Sequence, residues 1–146
     1  MLFRSAETIS KAHTVWRGTL PEGSGTVSLD SSGAGTLAVS WEARAEGTGT
    51  ATTPEELIGA AHAACFSMAL ANALSSQGTP PEELSTGADV SFSPADGITG
   101  IHLYVVGSVP DLSEADFQTI AQRAKKDCPV SRALKGVSID LSASLR

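Results

Sequence analysis

A long stretch without any charged residue, residues 57–81, limits what this chain can fold into. Residues 53–56 read Thr-Pro-Glu-Glu, which is a helix start: a capping residue, a proline at the first helical position and two acids at the positive end of the helix dipole. Gly78 supplies a stop. The apolar residues between these ends are not confined to one stripe. We therefore predict a helix over residues 53–78 that is buried on nearly all sides.

One domain of 146 residues offers such a helix few partners. Its alanines permit the close approach of another helix, and Cys65, one of two cysteines in the chain, lies at its centre. We therefore expect a second copy of the chain to cover the helix, so that the protein is a homodimer.

The remaining sequence alternates between strand and turn signals. Strands are expected around residues 13–16, 26–29 and 37–44, with Arg44 at the end of the third strand, just before the helix. Two more strands are predicted after Pro80 and Pro81, as a hairpin. With a second helix and a final strand in the last third of the chain, the order β-β-β-α-β-β-α-β indicates an α+β fold in a single domain, residues 1–146.

That second helix and final strand rest on clear local signals. Asp111 or Ser113 is expected to cap the helix, and apolar residues at positions 117, 120, 121 and 124 give it one buried face. The helix should stop near Cys128, because Pro129 disfavours helical geometry at the residue before it. Residues 131–135 are expected to form a turn, and residues 137–145 alternate with a period of two.

Composition excludes several classes of function. The formal charge is −6, from 10 Lys+Arg against 16 Asp+Glu, and no basic block is present, so nucleic acid is not an expected partner. The N-terminus has no apolar core of a signal peptide, so we expect a cytoplasmic protein. Residues 57–81 contain too many Ala, Ser, Asn, Gln, His and Gly residues for a typical membrane span, and no membrane association is expected.

The two cysteines allow two interpretations. Cys65 alone reads as a small buried hydrophobe. Cys128 lies at a helix end and is harder to assign to packing. If both thiols face one cavity, they form a redox centre without a CxxC motif. Thiolate attack on a peroxide then gives a sulfenic acid that the second thiol captures as a disulfide.

A reactive thiolate requires a nearby cation, because the ordinary thiol pKa of about 8.5 must be lowered. Arg44 is the best-placed candidate, held by Glu55 in a bidentate pair. Arg123, Lys125 and Lys126 are interpreted as solvated helix-end charges. Glu55 lies ten residues before Cys65, roughly 15 Å along one straight helix, so Glu55 is expected to act across the dimer interface.

His62 precedes Cys65 by three residues and shares its helix face. A Cys-His nucleophilic pair or a metal site is conceivable, but the chain has only three histidines and no second close ligand pair. We prefer a buried or interfacial histidine with one hydrogen bond. No metal, nucleotide or other cofactor is expected.

Two motifs closely resemble those of the OsmC/Ohr family. They are residues 52–70, which contain His62-Ala63-Ala64-Cys65, and residues 124–131, which contain Cys128-Pro129. The likeness spans nearly the whole chain, and the form around Cys65 is similar to the OsmC branch. The resemblance implies antiparallel sheets packed around a long buried central helix in an intertwined dimer.

The same resemblance implies a thiol peroxidase that reduces organic hydroperoxides, and hydrogen peroxide less well, in oxidative or osmotic stress defence. It assigns the reactive cysteine to Cys65, the resolving cysteine to Cys128, the arginine to Arg44 and the glutamate to Glu55, with Arg17 as a competitor for the arginine. A dithiol reductant is implied, for which a lipoylated protein is a candidate.

Two other hypotheses compete with this one. The first is a non-catalytic dimeric protein that binds small apolar ligands around the central helix, with both cysteines structural. The second is a hydrolase that uses Cys65 and His62 and does not need Cys128.

Overall fold

The computed structural model describes residues 6–146, which form two compact units. The first unit ends at Thr53 and the second runs from Pro54 to Arg146.

The first unit is a three-stranded antiparallel sheet followed by a short helix. Its strands pair in the order β1-β2-β3, and Thr14 lies opposite Val27. Val27 and Val39 are its buried hydrophobic strand residues. The elements are β1 (Ala12–Arg17), β2 (Ser24–Leu29), β3 (Thr36–Val39) and α1 (Trp41–Glu46).

The predicted third strand is wrong beyond Val39, because residues 41–46 form helix α1 and Arg44 lies in that helix. The Ser40 side chain accepts a hydrogen bond from the backbone N–H of Ala43 (3.1 Å), and Gly47 ends the helix in the left-handed region at φ 70°. A cap, good helix formers and a glycine stop therefore outweigh the apolar alternation that indicated a strand.

The second unit contains the long helix, a three-stranded sheet and two further helices. Its sheet has the order β4-β5-β6, in which β4 and β5 are antiparallel and β5 and β6 are parallel. The elements are α2 (Pro54–Ser76), β4 (Glu83–Ser93), β5 (Gly97–Ser108), α3 (Glu114–Asp127), α4 (Pro129–Ala133) and β6 (Ile139–Leu145).

The predicted α+β class and the order of the main elements are confirmed, with α1 and α4 as additional short helices. The predicted turn at residues 131–135 is partly helical, because α4 extends to Ala133. The expected antiparallel pairing holds for each strand pair except β5 and β6, since α3 and α4 carry the chain back to the other end of the sheet and so allow a parallel crossover.

The core of the second unit lies between the sheet and the helices. Leu103 of β5 stands opposite Ala88 and Leu141, and its side chain is fully buried. The other fully buried large apolar side chains of this core come from α2, β5 and α3, and are Phe66, Leu70, Leu74, Val105 and Phe117.

Helix α2 buries one stripe of residues rather than its whole surface. Its buried residues recur every three or four positions: Glu55, Gly59, His62, Phe66, Leu70 and Leu74. This stripe is the part of α2 that a single chain buries, and the predicted burial on nearly all sides, which includes a second copy of the chain, stays a prediction. The opposite face, here called the free face of α2, consists of Ala60, Ala61, Ala64, Met68 and Asn72. These residues are exposed, and Met68 is 72% exposed.

By length and composition alone, α2 could cross a membrane. Its buried stripe contains Glu55 and His62, and the helix packs against β4, α3 and α4. A helix that packs on a sheet through polar as well as apolar residues is typical of a protein core.

Candidate functional site

The two cysteines, 63 positions apart in the sequence, meet in the second unit. Cys65 of α2 is half-buried and Cys128 is fully buried, and both thiols are free. A hydrogen bond joins the two side chains. The two thiols are therefore adjacent, while of the two residues Cys65 is the one that lines the cleft described below.

Cys128 is held where two helices join. Its backbone N–H donates to the carbonyl of Ala124 (2.9 Å) and closes α3, while its own carbonyl accepts from the N–H of Arg132 (3.0 Å) and opens α4. Pro129 occupies the start of α4, where its missing N–H is not needed. The predicted helix end at Cys128 is confirmed, as is Ser113 as the N-cap of α3.

The surroundings of Cys65 favour the protonated thiol. Burial raises the pKa of Cys65, and so do the hydrogen bond to Cys128 and the charge of that second thiol. A hydrogen bond with the backbone of Val130 opposes these effects, since an N–H donor stabilises a thiolate. The resulting pKa still lies above its ordinary value, so the reactive thiolate requires an additional positive charge.

A cleft of about 450 Å³ opens beside Cys65. Most of its wall is apolar, and two charged residues of α3, Arg123 and Asp127, also line it. The other lining residues are Met68, Ala69, Asn72 and Ala73 of α2, Ala124 of α3, and Pro129. A small organic molecule that enters this cleft reaches the Cys65 thiol.

Arg123 lies near the end of α3 and is exposed, as the sequence predicts for a solvated helix-end charge. The side chain is exposed, but it also lines the cleft of Cys65. One sequence feature could have placed Arg123 beside the thiols: its neighbour Ala124 belongs to the buried stripe of α3.

His62 and Ser131 form a second buried connection next to the cysteines. His62 Nε2 and Ser131 Oγ are 2.7 Å apart, and the two residues are 0% and 7% exposed. Burial lowers the pKa of His62, so its ring is neutral near pH 7. The preferred interpretation of His62 as a buried, singly hydrogen-bonded histidine is confirmed.

The alternative roles of His62 find no support in this geometry. Its Nε2 atom pairs with Ser131, and its Nδ1 atom has no hydrogen-bond partner among residues 6–146, so no Cys65-His62 pair forms. His13 pairs with Asp30 and His102 pairs with Asp140, both far from His62 in the chain. Among the described residues, no cluster of His, Cys, Asp and Glu could hold a metal ion.

The other predicted site residues lie on three elements. Arg44 is in α1 and Arg17 ends β1, both in the first unit. Glu55 is in the first turn of α2 and is 5% exposed. Ten residues of continuous helix separate it from Cys65, roughly 15 Å, so the helix does not break near Gly59 to bring the two together. The roles of Arg44 and Glu55 remain predictions.

Comparison with known proteins gives consistent results. Residues 47–142 match the family model described as OsmC-like protein. The chain is 44% identical over 128 residues to a protein of Escherichia coli (strain K12) named Peroxiredoxin OsmC, covering 86% of this chain and 89% of that protein. It is 35% identical over 98 residues to an Organic hydroperoxide resistance protein of Xanthomonas axonopodis pv. citri (strain 306), covering 66% of this chain and 68% of that protein.

Solved structures share the fold. An OsmC-like protein from Mycoplasma pneumoniae superposes with a TM-score of 0.72 at 21% identity, over 96% of this chain and 99% of that one. The organic hydroperoxide resistance protein OhrB of Bacillus subtilis gives a TM-score of 0.66 at 27% identity, over 93% and 98% of the two chains. The resemblance inferred from the two cysteine motifs is confirmed, and this chain belongs to the OsmC-like protein family.

Proposed function

We propose that this protein is a cysteine-based thiol peroxidase that reduces organic hydroperoxides, and hydrogen peroxide less well, in oxidative or osmotic stress defence. The observation that carries the proposal is the hydrogen bond between Cys65 and Cys128 beside an apolar cleft. The names of the relatives, a peroxiredoxin and organic hydroperoxide resistance proteins, support the same activity.

The first step is attack by the Cys65 thiolate on the terminal oxygen of the hydroperoxide. A sulfur–oxygen bond forms, the O–O bond breaks, and the departing alkoxide takes a proton to leave as an alcohol. The second step joins Cys128 to the Cys65 sulfenic acid. The disulfide forms, the S–O bond breaks, and water leaves with the proton of the Cys128 thiol. An external dithiol, for which a lipoylated protein is a candidate, reduces the disulfide.

Arg44 supplies the positive charge that stabilises the Cys65 thiolate. The raised pKa of Cys65 makes this charge necessary, and a guanidinium can also donate hydrogen bonds to the peroxide oxygens as charge develops on the leaving group. Glu55 holds Arg44 in a bidentate pair. Arg17 is the competing arginine, and comparison of Arg44→Gln with Arg17→Gln separates the two, because only loss of the catalytic arginine lowers the rate of peroxide reduction.

The active form is a cytoplasmic homodimer. The free face of α2 carries no charge and contains Met68, an exposed large apolar side chain, so a second copy that covers this face removes apolar surface from water. The distance between Glu55 and Cys65 along one helix supports a role for Glu55 across the interface.

Thiol titration tests the proposal. Treatment with stoichiometric cumene hydroperoxide should consume both thiols, Cys65→Ser should abolish peroxide reduction, and Cys128→Ser should leave one turnover without recycling. Full activity in Cys65→Ser would refute it. The apolar wall of the cleft also suits the second candidate, a binder of small apolar ligands, and in that case both thiols survive the treatment.

A further inference from the structure

We propose that the His62–Ser131 hydrogen bond positions Cys128 for disulfide formation. Both are positioning residues, since they act through the two cysteines. The inference rests on the proposed thiol peroxidase activity and adds to it the residues that control its second step.

The bond joins the two elements that carry the thiols. His62 lies three residues before Cys65 on α2, and Ser131 lies three residues after Cys128, in α4. His62 and Cys65 are neighbours on one face of α2, since they are three residues apart on a helix, and Cys128 is the cap residue of the first turn of α4. The 2.7 Å contact between His62 and Ser131 therefore holds the first turn of α4 against α2, and each partner is three residues from one of the cysteines.

The same turn presents the two groups that contact Cys65. Cys128 shares a hydrogen bond with it, and the backbone of Val130 shares another. A disulfide requires its two Cα atoms to lie within a narrow range, about 4.4–6.8 Å. A small shift of α4 away from α2 would thus separate both Cys128 and the Val130 N–H from Cys65.

The bond is a strong constraint because both partners are buried. His62 is neutral, so its ring carries one N–H, and placing that hydrogen on Nε2 lets it donate to Ser131 Oγ. Its Nδ1 atom, which has no partner among residues 6–146, is then an acceptor only. Loss of the Ser131 hydroxyl would leave both ring nitrogens unpaired in a side chain that is 0% exposed, which favours displacement of α4.

The consequence is kinetic. The Cys65 sulfenic acid has two fates: Cys128 captures it, or a second hydroperoxide oxidises it to a sulfinic acid that the disulfide cycle cannot recover. Cys128 is fully buried and reaches Cys65 only from its place at the start of α4. Looser attachment of α4 slows capture, lengthens the life of the sulfenic acid and increases overoxidation.

The test compares Ser131→Ala with Ser131→Thr and Ser67→Ala. Thr restores the hydroxyl. Ser67 is the matched control, since its hydroxyl also ties α2 to a neighbouring element, but it bonds to Thr86 of β4 and to the carbonyl of Ala63 rather than to α4. Circular dichroism and urea unfolding establish that each variant is folded.

Each reduced variant receives one equivalent of cumene hydroperoxide, and intact mass spectrometry follows the disulfide and the dimedone-trapped sulfenic acid over time. We expect Ser131→Ala to consume the peroxide at a rate near that of the unmodified chain and to form the disulfide about tenfold more slowly, as one lost buried hydrogen bond predicts. Excess peroxide should then give a larger sulfinic acid fraction. Ser131→Thr should recover the disulfide rate, and Ser67→Ala should retain it.

An unchanged disulfide rate in Ser131→Ala, or an equal loss in Ser131→Ala and Ser67→Ala, would overturn the inference. If Ser131→Ala does not fold, His62→Gln takes its place with the same expectation. The amide of glutamine does not lie where Nε2 of the histidine ring lies, so it cannot reproduce the 2.7 Å contact with Ser131. Diamide, a thiol oxidant, drives the same Cys65–Cys128 closure without a peroxide. A protein that ignores hydroperoxides but shows the Ser131 effect with diamide would refute the proposed function and retain the inference.

Discussion

Substitution of Met68 on the free face of α2 should weaken the homodimer without unfolding the chain. Met68→Gln keeps the length of the side chain and a good helix former, and it replaces an apolar group by a polar one. Because Met68 is 72% exposed in the single chain, the monomer gains little from it. A dimer that covers the free face of α2 is stabilised by burial of the Met68 side chain.

The size of the effect follows from that exposure. Full burial of a methionine side chain is worth about 1.5–3 kcal/mol, and 72% of this is about 1–2 kcal/mol. A symmetric dimer contains the residue twice, so the loss is about 2–4 kcal/mol of association free energy. Each 1.4 kcal/mol is a factor of ten, which gives a dissociation constant raised about 30- to 700-fold.

Analytical ultracentrifugation over a concentration series measures this constant. Val106→Thr is the control, because Val106 is a half-exposed apolar residue of β5 whose side chain points away from the buried face of the sheet. Its substitution should leave the dissociation constant unchanged. A chain that is monomeric at every concentration, or a Met68→Gln dimer as tight as the unmodified one, would show that the free face of α2 is not the dimer interface.

Three further predictions concern pH and packing. The rise of the Cys65 alkylation rate with pH, measured with iodoacetamide, should move to lower pH in Cys128→Ala, because Cys128 raises the Cys65 pKa; an unmoved profile would contradict that cause. Burial lowers the His62 pKa, so the folded state binds fewer protons than the unfolded chain. The free energy of unfolding, measured with urea, should therefore fall as the pH drops below about 6.5. His62→Gln should lack this part of the pH dependence. Leu70→Ala, at a fully buried position, should lower the free energy of unfolding by about 3–5 kcal/mol, and a loss below about 1 kcal/mol would show that the core is not packed as described.

The elements that the sequence predicts correctly are those whose local signals agree with one another. Helix α2 has a proline start, an acidic first turn and a glycine stop, and its predicted bounds agree with the structure within a few residues. The end of α3 at Cys128 follows from Pro129, whose ring disfavours a helical residue before it. Local backbone chemistry is sufficient at these positions.

The wrong predictions lie where two local signals compete or where a contact depends on distant residues. Residues 41–46 continue the alternation of β3, yet Ser40 and Gly47 supply both ends of a helix. The face of α2 that a single chain leaves exposed is uncharged and rich in alanine, so its composition does not distinguish it from a face that the same chain buries. No spacing rule could reveal the contact between His62 and Ser131, which are 69 residues apart.

The proposed peroxidase requires Cys65 and Cys128 to act as one redox pair. This pairing is tested directly by intact mass measurement after one equivalent of an organic hydroperoxide. Peptide mapping under non-reducing conditions then identifies the linked residues. We expect the loss of two hydrogens and a peptide pair that joins Cys65 to Cys128. Retention of both thiols, with the peroxide unconsumed, would be incompatible with a redox pair.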